Sequence, residues 1–190
     1  LDGDDNLILA TNIGSIITIL PGGLAKQYFT HRGGAGEAAF SARSDVHGTI
    51  WAASTNGVSR IRNDSVVTLS RREGMPQETV YDVVEDDFGY LWMPTAKGIM
   101  RVLKQELEDR MDSKKTTINL RLYDNSDDLA KSECTGASQM LKDAYGHLWI
   151  PMLEGLIYVD PKKITSEAEP PKIRIELFKR DIESPILDPG

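Results

Sequence analysis

Three copies of one phrase run through the chain: DVHGTIWAASTNGV from Asp45, DDFGYLWMPTAKGI from Asp86 and DAYGHLWIPMLEGL from Asp143. Each holds an Asp, a Gly three residues on, a Trp three after that and a Gly six beyond the Trp. The positions so marked are Asp45, Gly48, Trp51 and Gly57, then Asp86, Gly89, Trp92 and Gly98, then Asp143, Gly146, Trp149 and Gly155. A degraded copy, DGDDNLILATNIGS, opens at Asp2, with Asp5 in the Gly place, Ile8 in the Trp place and Gly14 at its close. Positions 8, 51, 92 and 149 stand 43, 41 and 57 residues apart. Self-similarity at such an interval means a row of like units, each needing its neighbours to bury its apolar surface.

The residues between the marks read as short strands, and a period of about 40 to 45 residues with such strands describes β-propeller blades. In the best-preserved unit, Gly74-Met75-Pro76 is a turn, residues 80–85 alternate as an innermost strand and Asp86 to Gly89 is a tight turn. Residues 90–95 and 99–103 make the second and third strands, and 120–123 the outer one. The preceding unit divides into 39–43, 49–54, 57–62 and 65–70, with Asn63-Asp64 as its last turn. The first unit offers 7–11, 15–20 and 24–30, with no strand before Asp2. The long 57-residue interval contains Leu103, Leu107 and Met111 at i, i+4 and i+8, with Glu106 four before Arg110, so 104–112 is expected to be a short helix against the blade edge. The expected fold is all-β: four four-stranded antiparallel blades and one inserted helix. A large aromatic at one fixed place per blade fills the wedge between adjacent sheets, so the three Trp are assigned to packing and not to ligand stacking.

At 190 residues with 40% hydrophobic and 27% charged content, the chain can build a core. A net charge of −7 argues against nucleic acid, which demands a basic face. The pairs Arg71-Arg72, Lys114-Lys115 and Lys162-Lys163 read as solvated loop charges. A single cysteine, Cys134, excludes an internal disulfide and a multi-Cys metal site. No apolar run approaches membrane-spanning length, and the start at Leu1 suggests a segment of a longer protein.

Chemistry-bearing motifs are weak. Asp2, Asp4 and Asn6 have the spacing of a calcium loop, but Ile13 stands where the bidentate Glu belongs, and Asp124-Asn125-Ser126-Asp127-Asp128 lacks a downstream ligand. His31, His47 and His147 hold unrelated repeat positions without triad or ligand spacing. Gly33-Gly34-Ala35-Gly36 opens no helix and reads as a loop, and Asn63-Asp64-Ser65 is formally a glycosylation sequon in a hairpin turn. No catalytic residue, metal or cofactor is assigned.

The pattern Asp-x-x-Gly-x-Leu-Trp-x-x-Thr-x-x-Gly-Ile, nearly whole from Asp86 to Ile99, resembles the two-component regulator propeller repeat. Gly74-Met75-Pro76 is similar to that family's Gly-Leu-Pro turn. The run from Asp128-Leu129 through Ser132-Glu133-Cys134-Thr135-Gly136 to His147-Leu148-Trp149-Ile150-Pro151, with Gly155-Leu156 and Asp160-Pro161 beyond, resembles its last blade. After Pro170-Pro171, Lys172 to Glu176 resembles the first strand of the tyrosine-rich β-sandwich that follows in such receptors. The departures lie in the first unit, which lacks the Trp and the turn Gly.

The resemblance implies blades at 1–35, 36–73, 74–125 and 126–168, the last four of a seven-bladed ring, then a linker and sandwich strand at 169–190. It implies a non-enzymatic extracytoplasmic sensor, the periplasmic part of an inner-membrane receptor, with a histidine kinase or diguanylate cyclase output that these residues do not choose between. Its partners would be a small molecule or oligosaccharide, the missing blades and a second copy covering the open sheet faces. A propeller lyase of the streptogramin-inactivating type is one alternative, requiring a His and an acid converging with a divalent metal. A protein-interaction scaffold of the WD type is another, disfavoured because Ala52, Met93 and Ile150 follow the Trp where that family has Asp.

Overall fold

The computed structural model describes residues 5–30, 37–124, 133–136 and 139–164. Four antiparallel sheets follow one another in chain order. The first is β1 (Leu7–Ala10), β2 (Ser15–Ile19) and β3 (Ala25–Phe29); the second is β4 (Ala39–Ser44), β5 (Ile50–Ser54), β6 (Gly57–Arg62) and β7 (Ser65–Leu69). The third is β8 (Val84–Glu85), β9 (Tyr90–Thr95), β10 (Gly98–Leu103) and β11 (Leu120–Tyr123), with the helix α1 (Lys104–Met111) between its last two strands. The fourth is β12 (Leu141–Lys142), β13 (Leu148–Met152) and β14 (Gly155–Val159). The protein is thus mostly β, with sheets arranged as in propeller-like folds, and every strand pairs with its neighbour in sequence.

Alternation along the strands explains the stacking. In β5, Ile50 and Ala52 pack with Ile16 of the first sheet, whereas Trp51 and Ala53 pack with Val80, Leu91 and Met93 of the third unit. In β9, Leu91 and Met93 face back onto the second sheet while Trp92 faces forward onto Leu148 and Ile150. Strands β5 and β9 are therefore buried on both faces, and read as apolar runs instead of alternating ones. Trp51 and Trp92 each point at the next sheet in the chain. Trp51 and Trp92 are 2% and 1% exposed, whereas Trp149, with no further sheet among the described residues to cover it, is half-buried against Tyr158.

The structure alters several expected details. The first and fourth sheets have three strands each among the described residues, not four. Asp2 and Asp4, residues 125–128, the 169–190 linker and sandwich strand, His31 and the glycine loop at 33–36 lie outside the described residues. The inner strand of the third unit pairs only over Val84–Glu85, short of the expected start at Val80. The residues before it are held otherwise: the Val80 N–H donates to the Ser54 carbonyl at 3.0 Å and the Tyr81 N–H to the Pro94 carbonyl at 2.9 Å. That stretch is extended because it bridges the second and third sheets. Leu103 does not belong to the helical stripe; it ends β10 and is 36% exposed, while Leu107 and Met111 carry α1 into the core between the second and third sheets.

Candidate functional site: the turns and inner edge of the sheets

The repeated Asp and Trp are bonded to each other. In the second unit, Asp45 Oδ1 accepts the N–H groups of His47 and Thr49, both at 2.9 Å, and Oδ2 accepts Trp51 Nε1–H at 3.3 Å. In the third, Asp86 takes Phe88 and Tyr90 N–H at 2.9 Å and Trp92 Nε1–H at 2.8 Å. In the fourth, Asp143 takes Tyr145 and His147 N–H at 2.9 and 3.0 Å and Trp149 Nε1–H at 3.0 Å. One carboxylate thus closes the turn with one oxygen and orients the wedge indole with the other. The sequence assigns the Asp to a turn and the Trp to a wedge; the constant six-residue offset between them is the one sign in sequence of their bond.

The glycines complete the turn. Gly48, Gly89 and Gly146 have φ of 76°, 79° and 85°, the left-handed region, and Asp5 in the degraded copy holds the same conformation at 60°. At the closing position, a Cβ on Gly57 or Gly98 would overlap the carbonyl of Leu69 or Tyr123 on the outer strand, whereas one on Gly155 meets none of the described residues. The closing glycine is thus demanded by a fourth strand passing close by.

Charge follows the same geometry. The Trp149 indole N–H, with the two backbone N–H groups and His147, holds the Asp143 carboxyl at about 2, against the opposing effect of burial. Burial pushes Asp45 upward, but the Lys104 ammonium at 2.7 Å and the turn N–H groups outweigh it and leave it below its ordinary value. Lys104 also reaches Glu85 at 2.7 Å, joining the second and third units.

Below the turns, the inner strands border a cavity of about 440 Å³ lined by Arg43, Val46, Glu85, Asp87, Leu141 and Lys142 among others. One of its lining residues, Arg43, belongs to a clasp across three units. Asp82, fully buried, accepts Arg43 Nε–H at 3.1 Å and Nη2–H at 2.9 Å, the Met140 N–H at 2.7 Å and the Val83 N–H at 2.8 Å. Arg43 donates in turn to the Met140 carbonyl at 2.8 Å. Lys142 and Asp87, which also line the cavity, form an exposed pair at 3.0 Å. None of Arg43, Asp82 and Lys142 belongs to the repeated phrase, and sequence reasoning did not single them out.

The remaining candidates are scattered. His47 and His147 sit in the Asp turns of different units, the latter with Nδ1 at 3.1 Å from Asp143. Asp64, in the Asn63-Asp64 turn, ties the first two sheets by taking Lys26 Nζ at 2.8 Å and the Tyr28 hydroxyl at 2.7 Å. Among the described residues, no three His, Cys, Asp or Glu side chains converge as a metal group, and no helix is long and apolar enough to cross a membrane. Cys134 is buried, and that burial pushes its thiol up to about 11. The basic pairs are exposed, Arg71-Arg72 and Lys162-Lys163 in short 3₁₀ turns.

No protein-family profile and no curated protein matches the chain. Among solved structures it is similar to the extracellular domain assigned to a hybrid two-component system from B. thetaiotaomicron, at 15% identity, TM-score 0.33, covering 83% of this chain and 26% of that one. It is also similar to a catalytically inactive virginiamycin B lyase from Staphylococcus aureus with quinupristin, at 13% identity, TM-score 0.49, covering 84% and 56%. A third is PorZ, a surface component of the type-IX secretion system of Porphyromonas gingivalis, at 13% identity, TM-score 0.40, covering 83% and 31%. The chain spans about a quarter of the first of these. At such scores the likenesses carry no argument.

Proposed function

We propose that this chain is a non-enzymatic sensor module of a bacterial membrane receptor, an arc of propeller blades that recognises a small molecule outside the cytoplasm. The observation that supports the reading is a division of labour between residues. The repeated Asp, Gly and Trp are used up in closing turns and filling wedges. The inner-edge cavity is bordered by the repeat residues Asp45, Trp51 and Asp86, but the other charged and apolar side chains that line it, Arg43, Glu85, Asp87, Leu141 and Lys142, differ from unit to unit. Repetition preserves the scaffold while the non-repeating side chains are free to specify a ligand. The resemblance to the two-component regulator propeller repeat supports the receptor context, the periplasmic location and the seven-bladed ring.

The same reading makes the two end faces contact surfaces. On the first sheet Leu7 and Leu9 are 43% and 39% exposed; on the fourth, Leu141, Leu156 and Tyr158 are 61%, 59% and 48% exposed beside Trp149. Further blades or a second copy would cover them. The test is calorimetric titration of the protein with small sugars and sugar acids, alongside light scattering. Saturable binding and concentration-dependent association are expected; a monomer at all concentrations that binds none of the panel would refute the proposal.

A further inference from the structure

Arg60 and Arg101 hold the same place in successive units, nine residues after the Trp and directly across the hairpin from it. Both are buried, at 6% and 7% exposed. A guanidinium stays charged at any working pH, so a buried one requires an answering group. Between the second and third sheets the answer is Asp112, just past the end of α1, whose carboxylate accepts from Arg60 Nη2, leaving the buried Nη1 without a partner, and is held at about 2 by that bond and by Lys114.

Between the third and fourth sheets the same position is unanswered. No carboxylate among the described residues pairs with Arg101, and its buried Nε has no hydrogen-bond partner. The guanidinium lies 3.6 Å from the centre of the Tyr90 ring and 5.3 Å from that of Trp92. Stacking satisfies the face of a guanidinium and leaves the N–H edge needing an acceptor. Arg101 also lines a cavity of about 300 Å³, together with Arg121, directly across the sheet from it, and with Asn119 and Glu106.

We infer that this cavity binds a small organic carboxylate, anchored by Arg101 through the planar fork that matches a carboxylate in shape. The inference rests on the sensor reading and gives its ligand a chemical class. The ligand's carboxylate takes the place that Asp112 fills for Arg60. Glu106 at the border disfavours a doubly charged oxyanion, so a sugar acid or short hydroxy acid is preferred over phosphate. Asn119 offers an amide for hydroxyl groups on such a ligand.

The test is titration of the protein with D-glucuronate, acetate, phosphate, sulfate and neutral glucose, followed by calorimetry and by tryptophan emission, since Trp92 adjoins Arg101. Saturable binding of glucuronate, weaker binding of acetate and none of glucose are expected. Arg101→Gln is expected to weaken glucuronate by about tenfold or more, Arg101→Lys by less, and Glu106→Gln to admit phosphate. Glucuronate that fails to saturate the cooperatively melting wild-type protein overturns the inference, as does equal affinity for phosphate, or unchanged binding in either folded Arg101 variant. Carboxylate binding that leaves the association state and receptor output unchanged would defeat the sensor reading and leave the site standing. An output driven by another ligand, with no carboxylate bound, would do the reverse.

Discussion

Two junctions between sheets use the same repeat and are closed differently. Between the second and third sheets, Trp51 is surrounded by Val80, Leu91 and Met93; Val67 and Leu69 from β7, and Leu107 and Met111 from α1, close the wedge further out. Between the third and fourth, Trp92 meets Val84, Leu148 and Ile150, but among the described residues the outer part is open: a cavity of about 380 Å³ lies against Trp92, Ile99, Tyr123, Ile157, Val159 and Ile164. The difference teaches that the Asp–Trp phrase builds the inner half of a wedge and leaves the outer half to outer strands and insertions, where units diverge.

The sharpest way to break this comparison is to truncate the wedge. Trp92→Ala removes a buried ring and its bond to Asp86, and is expected to cost about 3 to 5 kcal/mol, enough to unfold most of a marginal population. Trp149→Ala, at a half-buried ring, is expected to cost about 1 kcal/mol. Chemical denaturation of the two variants checks this; equal losses would mean that Trp149 is covered by chain beyond the described residues.

Next in size is the clasp. Asp82→Asn keeps the shape but removes the charge that holds Arg43 and turns one acceptor into a donor facing the Met140 N–H, at an expected cost of about 2 to 3 kcal/mol. Arg43→Gln is expected to cost less, because the arginine side chain is 39% exposed and water can replace part of it. If Arg43→Gln were the worse of the two, the fourth unit would hang on Arg43 alone.

The repeat and its strands were legible in sequence because turn chemistry and Trp spacing are local: β6 begins and ends as expected, and β11 matches its expected span. Failures came where long-range contacts decide. Val80 to Val83 alternates like a strand, yet its backbone is divided between two sheets. Leu103 has helical spacing from Leu107 yet ends a strand. Of the site, the phrase residues were visible and their mutual bonds were not, while Arg43, Asp82 and Arg101 are single residues whose meaning appears only when units stack. Sequence periodicity cannot register a contact such as Arg43 to Met140, 97 residues apart.

The closing glycines sharpen the comparison at smaller cost. Gly98→Ala places a Cβ against the Tyr123 carbonyl at a φ of 134°, and a destabilisation of about 2 kcal/mol is expected, with β11 loosened in hydrogen exchange. Gly155→Ala meets none of the described residues and is expected to stay within about 0.5 kcal/mol. A loss at Gly155 as large as at Gly98 would place an outer strand alongside β14.

The smallest effects are electrostatic, and they separate junctions by pH. Asp112 in the second junction and Asp143 in the fourth unit titrate at about 2 when folded, below the value of about 4 expected unfolded. The unfolded chain therefore binds more protons between those limits. Stability from these groups is fully present above about pH 4 and is lost as pH falls toward 2. At the first junction the sign reverses. Burial, with the hydrogen bond to Asp64, raises the Tyr28 hydroxyl to about 12, so the unfolded tyrosine releases its proton first, and stability is lost as pH rises from about 10 to 12. Melting curves of Asp112→Asn should lose part of the acid slope and keep the alkaline one, and those of Tyr28→Phe the converse. An alkaline slope unchanged in Tyr28→Phe would mean that the Tyr28–Asp64 bond contributes nothing to holding the first two sheets together.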